Sequence, residues 1–115
     1  MGVSTTGAVV LVPFPFSDPS QTKVRPAVCL AGAGRGDWIL CQITSNPNGD
    51  PNAIKLGGAD FAQGSLNLTS YARPGKLFTA SAGLILRSVG LLKPEILDQL
   101  RAAVVEILQS PAAPI

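Results

Sequence analysis

Glycine and proline interrupt this chain so often that it has room for only one long helix. Twelve glycines and ten prolines are spread over 115 residues, and few periodic segments of helical length survive between them. Proline lacks an amide donor and glycine loses the most backbone entropy on folding, so both break helices and mark turns and strand ends. The one uninterrupted stretch begins at Pro94. Proline suits the first helical position, and Glu95 and Asp98 suit the positive N-terminal dipole. Leu97, Leu100, Val104, Ile107 and Leu108 recur at three- and four-residue spacing and form one apolar stripe. Asp98 and Arg101 stand three apart, the spacing of a helical ion pair. Ser110-Pro111 ends the helix.

Ahead of the helix the chain reads as short strands. Ala8 to Val12 is a continuous apolar run rich in β-branched residues, the pattern of a buried strand. Residues 13–20, PFPFSDPS, cannot form a central strand, because alternating prolines leave gaps in the hydrogen-bond ladder; they form an extended edge or a loop. Phe14 and Phe16 are two apart and so point the same way in extended chain. They either plug one end of the core or offer a stacking surface. Lys23 to Ser45 reads as a hairpin, KVRPAVCLA and WILCQITS around the glycine-rich GAGRGD. Asn46 to Asn52 is a loop, and Ala53 to Leu56 a short strand. Gly57 to Gly64 is a second loop, carrying Asp60 and Phe61. Ser65 to Tyr71 alternates apolar and polar residues and predicts a half-buried strand ending at Ala72-Arg73-Pro74-Gly75. Lys76 to Ala80 is a further strand, Ser81 to Leu86 is compatible with a single helical turn, and Arg87 to Leu92 is a strand in which Gly90 marks a bulge or close approach. The inventory predicts a mainly β domain over residues 7–109, a small barrel with a C-terminal helix laid against it. Residues 1–6 read as a disordered lead-in and residues 110–115 as a mobile tail.

Composition narrows the chemistry. Histidine is absent, which removes His-based acid–base pairs, Ser-His-Asp triads and His-containing zinc sites. The two cysteines, Cys29 and Cys41, are too few for a zinc cage. They lie in apolar runs and read as reduced core thiols, with a cross-strand disulfide as the alternative. The aspartates Asp18, Asp37, Asp50 and Asp60 all sit in loops, where turn chemistry explains them. A net charge of +2 is compatible with an anionic partner without demanding one. No apolar run reaches transmembrane length, so a soluble, cytoplasmic protein with no membrane partner is expected.

The polar residues of the hairpin gather at its open end. On its second strand Trp38, Leu40, Gln42 and Thr44 share one face, while Ile39, Cys41 and Ile43 share the other. Arg25 precedes Pro26, which biases it to extended backbone. A guanidinium held there can grip a phosphate with two hydrogen bonds, and Thr44 and Ser45 supply hydroxyls. The ordinary reading is a surface arginine beside a strand-end threonine. Register bears on the choice. If Cys29 faces Cys41, Arg25 faces Ser45; if Arg25 faces Thr44, Cys29 faces Leu40. One bulge interconverts the two.

These segments together carry a resemblance. GAVVLVPFPFSD (7–18), KVRPAVCL (23–30), ILCQITS (39–45), SLNLTSYARPGKLFTA (65–80) and SVGLLKPEIL (88–97) follow the order and spacing of the MazF/PemK toxins of bacterial toxin–antitoxin pairs. The likeness runs from about Gly7 to Leu108. It departs at Ala8, where relatives commonly have Asp after the glycine. It implies an SH3-like barrel, a homodimer, a cognate antitoxin that covers the RNA groove, and sequence-selective cleavage of single-stranded messenger RNA with no metal or cofactor. The family's catalytic arginine before proline maps onto Arg25, and its threonine ending an I-T pair onto Thr44. Lys23, Ser45, Ser70, Tyr71, Arg73 and Lys76 complete the expected RNA-contacting set, with Phe14, Phe16 and Tyr71 as stacking candidates.

The implied chemistry suits these residues. The 2′-hydroxyl attacks its own phosphorus, and a 2′,3′-cyclic phosphate and a 5′-hydroxyl result. A guanidinium stabilises the equatorial oxygens as charge develops. Arginine is a poor proton acceptor near neutrality, so a general base is not identified. Two other functions remain open at this point: a non-catalytic barrel that binds gyrase, as related toxins do, and a degenerate toxin kept as an RNA-binding module.

Overall fold

The computed structural model describes residues 5–15 and 22–112, with backbone alone at Pro15 and Thr22. Phe16, Asp18, residues 1–4 of the expected lead-in and residues 113–115 of the expected tail lie outside the described residues. Among the described residues, seven strands precede one long helix: β1 (Ala8–Pro15), β2 (Thr22–Gly34), β3 (Asp37–Thr44), β4 (Ile54–Leu56), β5 (Phe61–Gly64), β6 (Ser70–Ser81), β7 (Arg87–Leu92) and α1 (Pro94–Gln109). All strand pairs are antiparallel, in the order β4-β6-β3-β2-β1-β7-β5. The outermost strands curl towards each other. Leu56 of β4 and Phe61 of β5, from opposite ends of the sheet, join one buried cluster with Val9, Val28, Cys41 and Ile43. Leu97 and Leu100 of α1 complete that cluster, so the helix lies against the concave face. A mainly β half-barrel with a C-terminal helix results, as expected.

The other face of the sheet is built from smaller residues. Ala8, Val10, Val12, Ala27, Cys29, Leu40 and Ala80 form a second buried cluster, bordered by Trp38, Phe78 and Ile85. Phe14 packs edge-to-face on Phe78, with ring centroids 5.1 Å apart. Of the two roles open to Phe14, the structure therefore supplies a packing contact. Ala8 is 3 % exposed inside this cluster; a carboxylate there would be costly to bury.

Several elements differ from their sequence reading. β1 runs through Pro13 and Pro15, three residues beyond Val12. The prolines are tolerated because β7 pairs only with Ala8 to Leu11, which leaves the later part of β1 with β2 on one side alone. The stretch 57–64 is ordered: a 3₁₀ turn at Gly58–Asp60 leads into β5, and Phe61 is buried. Residues 65–69, expected as part of a strand, form a loop instead, with Leu68 67 % exposed. Alternation over so few residues does not separate a strand from a loop that anchors one side chain. Here the anchor is Leu66, packed against the first cluster. β6 then runs from Ser70 straight past the expected stop at Arg73-Pro74-Gly75. Cys41 pairs with Leu77 and Ile43 with Ala72, so these residues form a wide bulge in β6. At a bulge the amide that Pro74 lacks is not needed.

The helix begins at Pro94 as expected, and Leu97 and Leu100 are buried. Leu108 is 74 % exposed, so the stripe's last member stays in solvent at the final turn. Arg101 does not pair with Asp98. Its Nε and Nη2 donate to the Leu30 carbonyl at 3.0 and 2.6 Å. Leu30 is the extra residue between the Cys29–Leu40 and Ala31–Ile39 pairs, and a bulge carbonyl displaced from its ladder needs such a donor. At the other edge β5 crosses β7 closely. A Cβ on Gly90 would lie 2.9 Å from the Phe61 ring, the close approach expected there.

Candidate active site

The hairpin turn is Arg35-Gly36, and both residues have positive φ (58° and 79°), as a two-residue loop that matches the strand twist requires. From Gly34 opposite Asp37, two irregularities in β2 shift the pairing until Cys29 faces Leu40, Val28 faces Cys41 and Ala27 faces Gln42. Continued by two residues, this register sets Arg25 opposite Thr44. It also puts Cys29 and Cys41 in different clusters on opposite faces, with no disulfide between them. Burial pushes the Cys41 thiol up to about 12, and its S–H donates to the Arg73 carbonyl at 3.2 Å.

Arg25 and Thr44 line one open depression of about 220 Å³, together with Pro26, Ile43, Ser45, Ser70 and the Leu66–Leu68 loop. Arg25 is exposed and Thr44 half-buried. Thr44 Oγ1 accepts from the Asn46 amide and donates to the Asn46 carbonyl, both at 3.1 Å. This fixes the hydroxyl and leaves one further lone pair able to accept. The following loop is held by its own side chains: Asn46 Oδ1 accepts from the Asn48 amide, and Asp50 Oδ1 from the Asn52 amide. Asp50 also accepts from Arg73 Nε at 2.8 Å. That hydrogen bond is the main reason the Asp50 carboxyl lies below its ordinary value.

The other expected site residues fall into three groups. Ser45 and Ser70 line the depression. The Ser70 hydroxyl, however, donates to the Leu68 carbonyl at 2.9 Å and so holds the wall loop in place. Lys23 precedes Arg25 by two residues on β2 and is exposed; Tyr71 of β6 pairs with Thr44 and is half-buried. Arg73 and Lys76 sit on the β6 bulge, outside the lining of the depression, where Arg73 is tied to Asp50. The sequence reading missed Leu66, Asn67 and Leu68 as wall residues. Their only signal was the polar Ser65, Asn67 and Thr69, which equally suit the wet face of a strand. Among the described residues, no carboxylate lines the depression. Among the described residues, no group of three His, Cys, Asp or Glu gathers to hold a metal.

The geometry has well-defined likenesses. An endoribonuclease from Mycobacterial species in complex with its cognate antitoxin superposes with a TM-score of 0.70 at 15% identity, covering 98% of this chain and 100% of that one. A crystal structure of MazE–MazF from Deinococcus radiodurans gives 0.77 at 18% identity, over 96% and 100% of the two chains. An endoribonuclease from Mycobacterial species gives 0.71 at 16% identity, over 98% of each chain. No curated protein matches the chain in sequence. Residues 5–108 match the family model of the PemK-like, MazF-like toxins of type II toxin–antitoxin systems, and the chain belongs to that family.

Proposed function

We propose that this toxin is an endoribonuclease that cleaves single-stranded messenger RNA in the cytoplasm, without a metal, until a cognate antitoxin covers its groove. The observation that carries this reading is the joint lining of one open depression by Arg25 and Thr44. A gyrase-binding surface would have no use for that pair. The family match supports the toxin class, and the likeness to endoribonucleases supports the reaction. A homodimer is part of the proposal.

In the proposed reaction the 2′-oxygen forms a bond to the adjacent phosphorus, and the bond from phosphorus to the 5′-oxygen breaks. A proton leaves the 2′-hydroxyl and one reaches the departing 5′-oxygen, giving a 2′,3′-cyclic phosphate and a 5′-hydroxyl. Arg25 donates to the equatorial oxygens, where negative charge builds, and its planar fork matches two of them. Thr44, already bonded to Asn46, accepts from the 2′-hydroxyl through its remaining lone pair and orients it for attack. Ser45 at the rim offers a further donor to the phosphate. The exposed Leu68 on the wall of the depression suits an unstacked base.

The test is incubation of purified protein with single-stranded RNA in EDTA, followed by analysis of the new ends. Cyclic-phosphate and 5′-hydroxyl ends are expected. Intact RNA, or ends of any other kind, would overturn the reaction.

A further inference from the structure

The depression at Arg25 and Thr44 continues beyond the loop that walls it. Leu66 and Asn67 line it on one side and a second depression, of about 450 Å³, on the other. Arg87 and Ser88 of β7 border that second space. Arg87 pairs with Leu11, and Leu11 pairs with Pro26. The three residues form one row across the strands, two strand spacings or about 10 Å from end to end. Directly paired residues share a face of the sheet. Arg87 and Pro26 therefore look to the same side, while Arg25, next to Pro26 on β2, looks to the other; the two spaces are linked by the Leu66–Asn67 wall they share.

Three features of this path suit a polyanion with bases. Among the described residues, no carboxylate lines either depression, while each is lined by an arginine. Arg87 is exposed, and among the described residues no acidic side chain pairs with it. The ridge between the two spaces is held firmly. Leu66 packs on the core, and the Ser70 hydroxyl bonds the Leu68 carbonyl. Asn67 is exposed on that ridge and offers an acceptor and two donors to a base edge.

We infer that RNA bound at Arg25 and Thr44 crosses the Asn67 ridge and sets a neighbouring phosphate on Arg87, while Asn67 hydrogen-bonds the base between. This rests on the RNA-cleaving reading of the site. Arg87 is a positioning contact for substrate rather than a group that touches the reacting atoms. It contributes to binding along the strand, and Asn67 contributes to base choice beside the cut.

The test uses the wild type and the variants Arg87→Ala, Arg87→Lys and Asn67→Ala on an in vitro transcribed messenger RNA in EDTA, with cut sites mapped. KM, kcat and the salt dependence of affinity are then measured on an oligonucleotide carrying one mapped site. Arg87→Ala is expected to raise KM about tenfold, more than it lowers kcat. It should also reduce the slope of log affinity against log salt by about 0.7, the value for one phosphate contact on a single strand. Arg87→Lys should restore the slope. Asn67→Ala should relax the base preference at one position beside the cut, and an unchanged preference would overturn the Asn67 contact. If the wild type cuts while Arg87→Ala keeps both KM and slope, the second subsite is overturned and the cleavage reading stands. A wild type that neither cuts nor binds the transcript overturns both.

Discussion

The two ends of the β2–β3 hairpin are built on different principles. At the closed end, Arg35 and Gly36 carry positive φ and the turn is specified by two residues. At the open end, nothing local brings Arg25 to Thr44. Their meeting depends on two irregularities in β2, on Arg101 satisfying the Leu30 carbonyl, and on the β6 strand beside β3. The closed end is therefore a local feature outside the proposed site. The open end is a tertiary product, with the polar groups that the proposed reaction needs. Substitutions at the two ends should separate activity from stability.

The largest effect belongs to the open end. Arg25→Lys keeps the charge but not the planar fork, and cleavage is expected to fall about 100-fold. The melting temperature should stay within a degree or two, since Arg25 is exposed. Single-turnover rates beside a thermal melt would show both. Thr44→Val removes the hydroxyl that Asn46 holds, and a loss of about tenfold in rate is expected.

The closed end should behave in the opposite way. Gly36→Ala forces an alanine to φ near 79° and should lower stability by about 1 kcal/mol in urea unfolding, with kcat unchanged. Equal losses of activity and stability at both ends would erase the distinction.

Smaller effects sharpen it further. Asp50 belongs to the loop beside the site, and its pair with Arg73 is partly open to water, so Asp50→Asn should cost under about 1 kcal/mol. Its carboxyl lies below the ordinary value of 3.8 when folded. The folded state then binds fewer protons than the unfolded one. The contribution is complete above that value and fades as the pH falls below it. Urea unfolding of the wild type and Asp50→Asn between pH 3 and pH 6 should therefore converge at the acidic end. The Cys41 thiol, pushed up to about 12 by burial, should resist alkylation at pH 8 in the native protein and react only on unfolding.

What could be read in the sequence follows the same division. Pro94 opening the helix, the Arg87–Leu92 strand and the glycine-rich turn rest on local backbone preference, and the structure contains them as read. The hairpin register rests on where β2 accommodates extra residues, and nothing in LAGAG distinguishes Leu30 from its neighbours as one of them. The β6 bulge looked like a strand end because Pro74 and Gly75 punctuate either one. Arg101 turned to a carbonyl distant in sequence rather than to Asp98 one turn away. At the site, Arg25 and Thr44 were singled out through the family resemblance, and their chemistry alone left them ordinary. Asn67 and Leu68 were hidden by an alternation that suits strand and loop equally. Ser70, expected against RNA, lines the depression, and its hydroxyl holds the wall loop through the Leu68 carbonyl.

The central claim is that Arg25, brought beside Thr44 by the sheet, performs the cleavage. The most direct measurement is the single-turnover rate of Arg25→Ala against wild type on one single-stranded RNA in EDTA, with both proteins shown to be folded. The expected result is a wild type that produces 2′,3′-cyclic phosphate ends and a variant at least about 100-fold slower. Arg25→Ala cutting at the wild-type rate and at the same sites would contradict it.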